Sequence, residues 1–161
     1  MPSRAKQGTP GEKMVKTYHK GARAERELIR FFSEHGFMVM RGAGSGTSGL
    51  SPDVLAFKGG KQYVIEAKAQ EAERLSIDRE QFDNLKKWWE ATGMETYVAW
   101  RRKKEKVEAG DESAEAWEKK GVGMRYRWRF VPIALFTENP KGYSLSWEIA
   151  RKHGKEISEM L

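Results

Sequence analysis

The 161-residue chain contains no cysteine, so neither disulfides nor thiolate metal sites are open to it. Its three histidines, His19, His35 and His153, are scattered without ligand spacing, which argues against a zinc centre. No apolar run approaches the roughly 20 residues that a membrane-spanning helix needs. The stretch from Met1 to Lys20 also lacks the hydrophobic core of a secretory signal. No internal repeat is visible. These absences predict a soluble, cytoplasmic protein with no membrane partner.

What the chain does have is charge. Hydrophobic residues make up 39% of it and charged residues 33%, which suits a small core beneath a heavily charged surface. The length allows one domain. The formal net charge is +7, and the surplus lies in residues 1–50 and 101–161, while the middle is mildly acidic. A basic protein with an acidic patch inside it suits a divalent cation held against a nucleic acid.

Residues 1–16 are polar, with Gly8, Gly11, Pro2, Pro10 and scattered cations, and read as a flexible basic arm. Apolar residues recur at helical spacing from about Lys20 to His35, and Gly36 stops that helix. Residues 37–41 predict a strand, 42–51 a glycine- and serine-rich loop, and 52–57 a second strand. Gly59-Gly60 predicts a hairpin turn into a third strand, 61–69. A helix follows over 79–92, with Asp78 as N-cap, Gln81 three residues on as in a capping box, and Gly93 at its end. Strands are predicted over 95–101 and 125–131, an exposed charged insertion over 102–123, and a short helix over 144–153. This order gives an α/β domain with a mixed five-stranded sheet flanked by helices.

Strand side chains two apart share a face, roughly 6.5 Å along. In the third strand Tyr63, Ile65 and Ala67 therefore belong to a core, whereas Glu66 and Lys68 emerge together on the other side. Antiparallel pairing about Gly59-Gly60 brings Asp53, at the start of the second strand, beside them. Two converging carboxylates repel unless one is protonated or a cation lies between them. Oxygen-only ligation selects hard ions such as Mg²⁺. From the short motif alone, a Glu66–Lys68 surface ion pair with Asp53 as a turn residue is an equally good reading. Gly44-Ser-Gly46-Thr-Ser-Gly49 fits a dinucleotide-binding pattern, but Pro52 leads on into a strand rather than a helix, so no nucleotide cofactor is expected.

The order Ala24-Glu25-Arg26-Glu27-Leu28, His35-Gly36-Phe37, Arg41-Gly-Ala-Gly-Ser45, Pro52-Asp53-Val54 and Ile65-Glu66-Ala67-Lys68 resembles the archaeal Holliday-junction resolvase family, within the PD-(D/E)xK nuclease superfamily. The resemblance covers about two-thirds of the chain and implies a restriction-endonuclease-like fold. It implies a single nuclease domain over 17–161 and Mg²⁺-dependent cleavage of four-way junction DNA by a homodimer, with Mn²⁺ as a substitute ion. Asp53, Glu66 and Glu25 would be metal carboxylates, Lys68 the catalytic lysine, and Arg26 and Arg41 the residues that hold the scissile backbone. Ser45 or Ser51 would be the loop serine, and Trp88 an aromatic at the dimer interface. The chain departs from the family in a longer glycine-rich loop, in the 102–123 insertion and in the extended N-terminal arm. Two alternatives stay open: another endonuclease of the superfamily (flap, mismatch or restriction type), and a non-catalytic DNA-binding scaffold.

Overall fold

The computed structural model describes residues 10–42, 51–103 and 126–161, with the side chains of 10–20 and 126 outside that description. Helix α1 (Pro10–Glu34) leads to strands β1 (Met38–Arg41), β2 (Val54–Lys58) and β3 (Lys61–Ala69). Then come β4 (Arg74–Asp78), helix α2 (Arg79–Thr92), β5 (Glu95–Lys103) and β6 (Tyr126–Pro132). The chain closes with β7 (Thr137–Asn139), β8 (Gly142–Ser146), helix α3 (Trp147–His153) and a 3-10 turn at Ile157–Met160.

The main sheet has the order β1-β2-β3-β5-β6, with β3 and β5 parallel and the other pairs antiparallel. It is the mixed five-stranded sheet expected. The parallel pair is buried on both faces, as such pairs usually are, and Tyr63 to Glu66 are all buried. One core lies beneath α1 and joins Leu28, Phe31 and Phe32 to Val54, Tyr63, Ile65 and Phe130. A second core lies on the opposite face and joins Val64, Val98 and Trp100 to Phe82 and Leu85 of α2.

The fold differs from expectation at four points. Residues 10–16, expected in a flexible arm, form the first turns of α1. Their apolar residues are too sparse to show a core stripe, although Pro10 stands at the first helical position, where its missing N–H costs nothing. A second sheet, β4-β8-β7, was not foreseen. It lies on the side of the main sheet that carries Val64, where Leu75, Ile77, Tyr143 and Leu145 all join the second core. The expected helix over 144–153 is therefore a strand to Ser146 and a helix from Trp147, with the Ser146 side chain accepting a hydrogen bond from the Ile149 N–H as N-cap. Arg102 and Lys103, placed in the charged insertion, belong to β5. The rest of that insertion lies outside the described residues.

Candidate active site

Because β1 and β3 both run antiparallel to β2, and β5 runs parallel to β3, the C-terminal ends of β1, β3 and β5 share one end of the sheet. The entry to β2 lies at that same end. Topology alone thus gathers Arg41, Asp53, Glu66, Lys68 and Arg101 from segments distant in sequence. The loop before β2 is pinched at its base, where the Gly42 N–H donates to the Asp53 carbonyl at 2.9 Å.

Asp53 Oδ2 accepts the Ala67 backbone N–H at 2.8 Å, which locks this carboxylate to β3 beside Glu66. Lys68 Nζ donates to Glu66 Oε1 at 3.1 Å and to Gln81 Oε1 at 2.8 Å. Gln81 Nε2 in turn donates to Glu66 Oε1 at 2.6 Å. Asp53, Glu66 and Lys68 are therefore one cluster, as expected, and Gln81 of α2 is a member that the sequence reading assigned elsewhere. Asp78 does cap α2, accepting the Gln81 backbone N–H at 2.9 Å. The Gln81 side chain, however, turns to the strand instead of completing a capping box. A glutamine at the third helical position fits both uses, so spacing could not separate them.

Burial decides the electrostatics. Glu66 is only 5% exposed. That burial first, and the neighbouring Asp53 carboxylate second, push its carboxyl up to about 7 against the pull of Lys68. Asp53 is also raised by burial, opposed by the Ala67 N–H, the Lys68 charge, Glu66 and Arg41. The pair retains a proton that isolated carboxyls would lose.

A stability effect follows from the sign of this shift. The folded protein holds the Glu66 proton up to about pH 7, whereas the unfolded chain releases it near 4.5. Stability is therefore lost as pH rises through that window. Metal-free Glu66→Gln is expected to match the parent near pH 4.5 and to exceed it at pH 8 by roughly 2–3 kcal/mol. Thermal denaturation in chelator at both pH values checks this, and equal stability at pH 8 would refute it.

Glu25, half-buried on α1, is held by Arg41, whose Nε and Nη2 each lie 3.0 Å from Glu25 Oε2. This forked pair stands at the end of β1, close enough to Asp53 for the Arg41 charge to act on it. Arg26 is exposed on α1 and Ser51 is exposed just before Pro52, while Ser45 lies outside the described residues. Trp88 is half-buried against the second core, and its neighbour Trp89 is 53% exposed. Arg129 is buried and pairs with Glu156 at 2.9 Å, while Trp128 and Phe130 face the first core.

Among the described residues no three histidine or acidic side chains gather as a complete metal cage. Two carboxylates do converge, and a hard ion that keeps several waters asks for one or two. Their shared proton is what a divalent cation would displace. The donor set thus fits an Mg²⁺-class ion on Asp53 and Glu66, and Glu25 enters such a set only if Arg41 releases it.

A mixed five-stranded sheet flanked by helices, with two carboxylates and a lysine at the ends of adjacent strands, defines a nuclease of the restriction-endonuclease-like class. A sequence model of the family described as archaeal Holliday junction resolvase (hjc) matches residues 16–161. The chain belongs to that family, whose relatives are crossover junction endodeoxyribonucleases. The Archaeoglobus fulgidus enzyme of that name is 28% identical over 148 residues, which span 87% of this chain and 93% of the relative. That of Methanocaldococcus jannaschii is 34% identical over 82 residues, or 51% of this chain and 59% of the relative. A solved structure of Archaeoglobus fulgidus Hjc, a Holliday junction resolvase, superposes with a TM-score of 0.62 at 26% identity, covering 87% of this chain and 93% of that one.

Proposed function

We propose that this protein resolves four-way DNA junctions as a two-fold dimer, each subunit hydrolysing one phosphodiester at the Asp53–Glu66–Lys68 site with Mg²⁺. The observation that carries the reading is the carboxylate pair, with Glu66 buried and Lys68 bonded to it, inside the segment that matches the resolvase family. A divalent ion held there supplies positive charge against the phosphate oxygens and lowers the cost of charge build-up.

The chain's own groups do the rest. Asp53, fixed by the Ala67 N–H, and Glu66 hold the ion's place. The Lys68 ammonium spends two donors on Glu66 and Gln81 and keeps one for the substrate phosphate or the attacking water. Arg41, whose Nε and Nη2 both meet Glu25 Oε2, can exchange that carboxylate for a DNA phosphate, which a guanidinium fork can also hold. Such an exchange would free Glu25 for the ion. Exposed Arg26 adds a second backbone contact.

An apolar face supports the dimer. Met38 and Met40 are 76% and 60% exposed, and the β1–β2 register sets them beside Phe57 and Leu55. Leu55, Phe57 and Trp88 border the second core on this same side. Contiguous exposed apolar surface of this kind is typical of an interface, and one site per subunit on a two-fold substrate makes an isologous pair the economical solution.

The test is a substrate panel: a four-way junction, a flap and linear duplex, each with and without Mg²⁺, with cut positions mapped. Paired symmetric nicks confined to the junction are expected. Preferential cutting of flap or duplex, or junction binding without metal-dependent cutting, would overturn the reading.

A further inference from the structure

We propose that Gln81 is a positioning residue, whose amide, clamped between Glu66 Oε1 and Lys68 Nζ, fixes the carboxylate and the ammonium in the orientation that cleavage uses. The inference rests on the nuclease reading above and extends it to a residue on a different element.

The chemistry of the clamp is directional. The amide presents its N–H donor to the carboxylate at 2.6 Å and its carbonyl to the ammonium at 2.8 Å. Turning it over would set N–H against ammonium and oxygen against carboxylate, so only one orientation is stable. Among the described residues the other hydrogen bond of Lys68 is to Glu66, at 3.1 Å, on a flexible four-carbon stem. Two donors on Glu66 Oε1 also leave Oε2 as the oxygen available to an ion. The clamp is itself anchored, since Asp78 caps the Gln81 backbone N–H and the next residue, Phe82, is buried against a stacked Tyr143. Groups that orient metal carboxylates from the next shell typically change metal affinity or activity about 10- to 100-fold when removed.

Two substitutions separate the parts of the clamp. Methionine matches the length without polarity. Glutamate keeps an acceptor for Lys68, but it loses the donor to Glu66 and brings a third carboxylate to the ion site. Opposite changes in ion binding and in rate are therefore expected from one position.

The experiment compares wild type, Gln81→Met and Gln81→Glu in three measurements: Mn²⁺ binding by calorimetry without DNA, junction affinity in chelator, and single-turnover cutting with Mg²⁺. Gln81→Met should bind Mn²⁺ several-fold more weakly and cut about 10- to 100-fold more slowly. Its junction affinity should stay within twofold and its melting temperature within a few degrees. Gln81→Glu should bind Mn²⁺ more tightly than wild type and still cut more slowly, a split that lost packing alone does not produce. Wild-type cutting and ion binding in Gln81→Met would overturn the proposal, as would losses in both variants that merely follow a fall in melting temperature. Failure of the wild type to cut any DNA would instead defeat the nuclease reading, with the calorimetry still deciding the role of Gln81 at the ion site.

Discussion

Asp53→Asn is expected to lower metal-dependent junction cleavage on the order of a thousandfold or more, while junction affinity in chelator stays equal or becomes slightly tighter. The asparagine keeps the shape of the side chain and an oxygen for the Ala67 N–H, so the strand pairing that Asp53 reinforces is retained. What disappears is one of the two negative charges that hold a cation. Without metal, that same charge repels the incoming phosphate, and its removal can only help DNA to bind. Single-turnover cutting, with the junction Kd measured by gel shift, checks both halves. Residual cutting within tenfold of wild type would sink the assignment of Asp53 to the ion, and a large loss of junction affinity would show that Asp53 acts chiefly in folding.

Gly42→Ala should be the most disruptive single methyl group in the described chain outside the cores. A Cβ at this position would lie 1.8 Å from the Pro52 carbonyl oxygen and 3.0 Å from its carbonyl carbon, both backbone atoms that no rotamer change can move. The strand pair has to part just where Gly42 N–H meets the Asp53 carbonyl. The substitution is expected to cost about 2–4 kcal/mol, and to impair cutting even at temperatures where the protein remains folded, because the displaced segment carries Asp53. Gly21→Ala provides the contrast. It sits in α1 with nothing within 4 Å of an added Cβ, and should gain about 0.5–1 kcal/mol from helix propensity. Paired melting curves measure this. Unchanged stability and activity in Gly42→Ala would mean that the loop base has room the geometry denies.

Much of this architecture was legible in the residues. β3 and α2 fall where the apolar run after Gly59-Gly60 and the Asp78 and Gly93 caps placed them, since turn and cap chemistry is local. The Asp53, Glu66 and Lys68 cluster was legible because a short hairpin fixes register. The second sheet was not. β4 offers only Leu75 and Ile77 as apolar residues, and β8 is built largely from glycine and serine, so neither outweighs its polar neighbours until the two strands pair. Burial of Glu66 was invisible for a related reason, because it depends on how α2 packs over β3, which sets Gln81 against its carboxylate. Gln81 was read as a cap residue because its spacing satisfied that use, and only the fold shows which partner won.

The pairing of Lys103 with Tyr126 carries a consequence for how this protein can change. Those residues form the outermost rung of the β5–β6 pair, at the end of the sheet that carries Asp53 and Lys68, so any connection between the two strands starts and finishes at that fixed pair. Lengthening such a bridge-closed segment costs only about 0.6 kcal/mol for each doubling of its length. That end of the sheet is therefore a cheap place for evolutionary or engineered insertion, since the added length is closed by two residues already held together in the sheet.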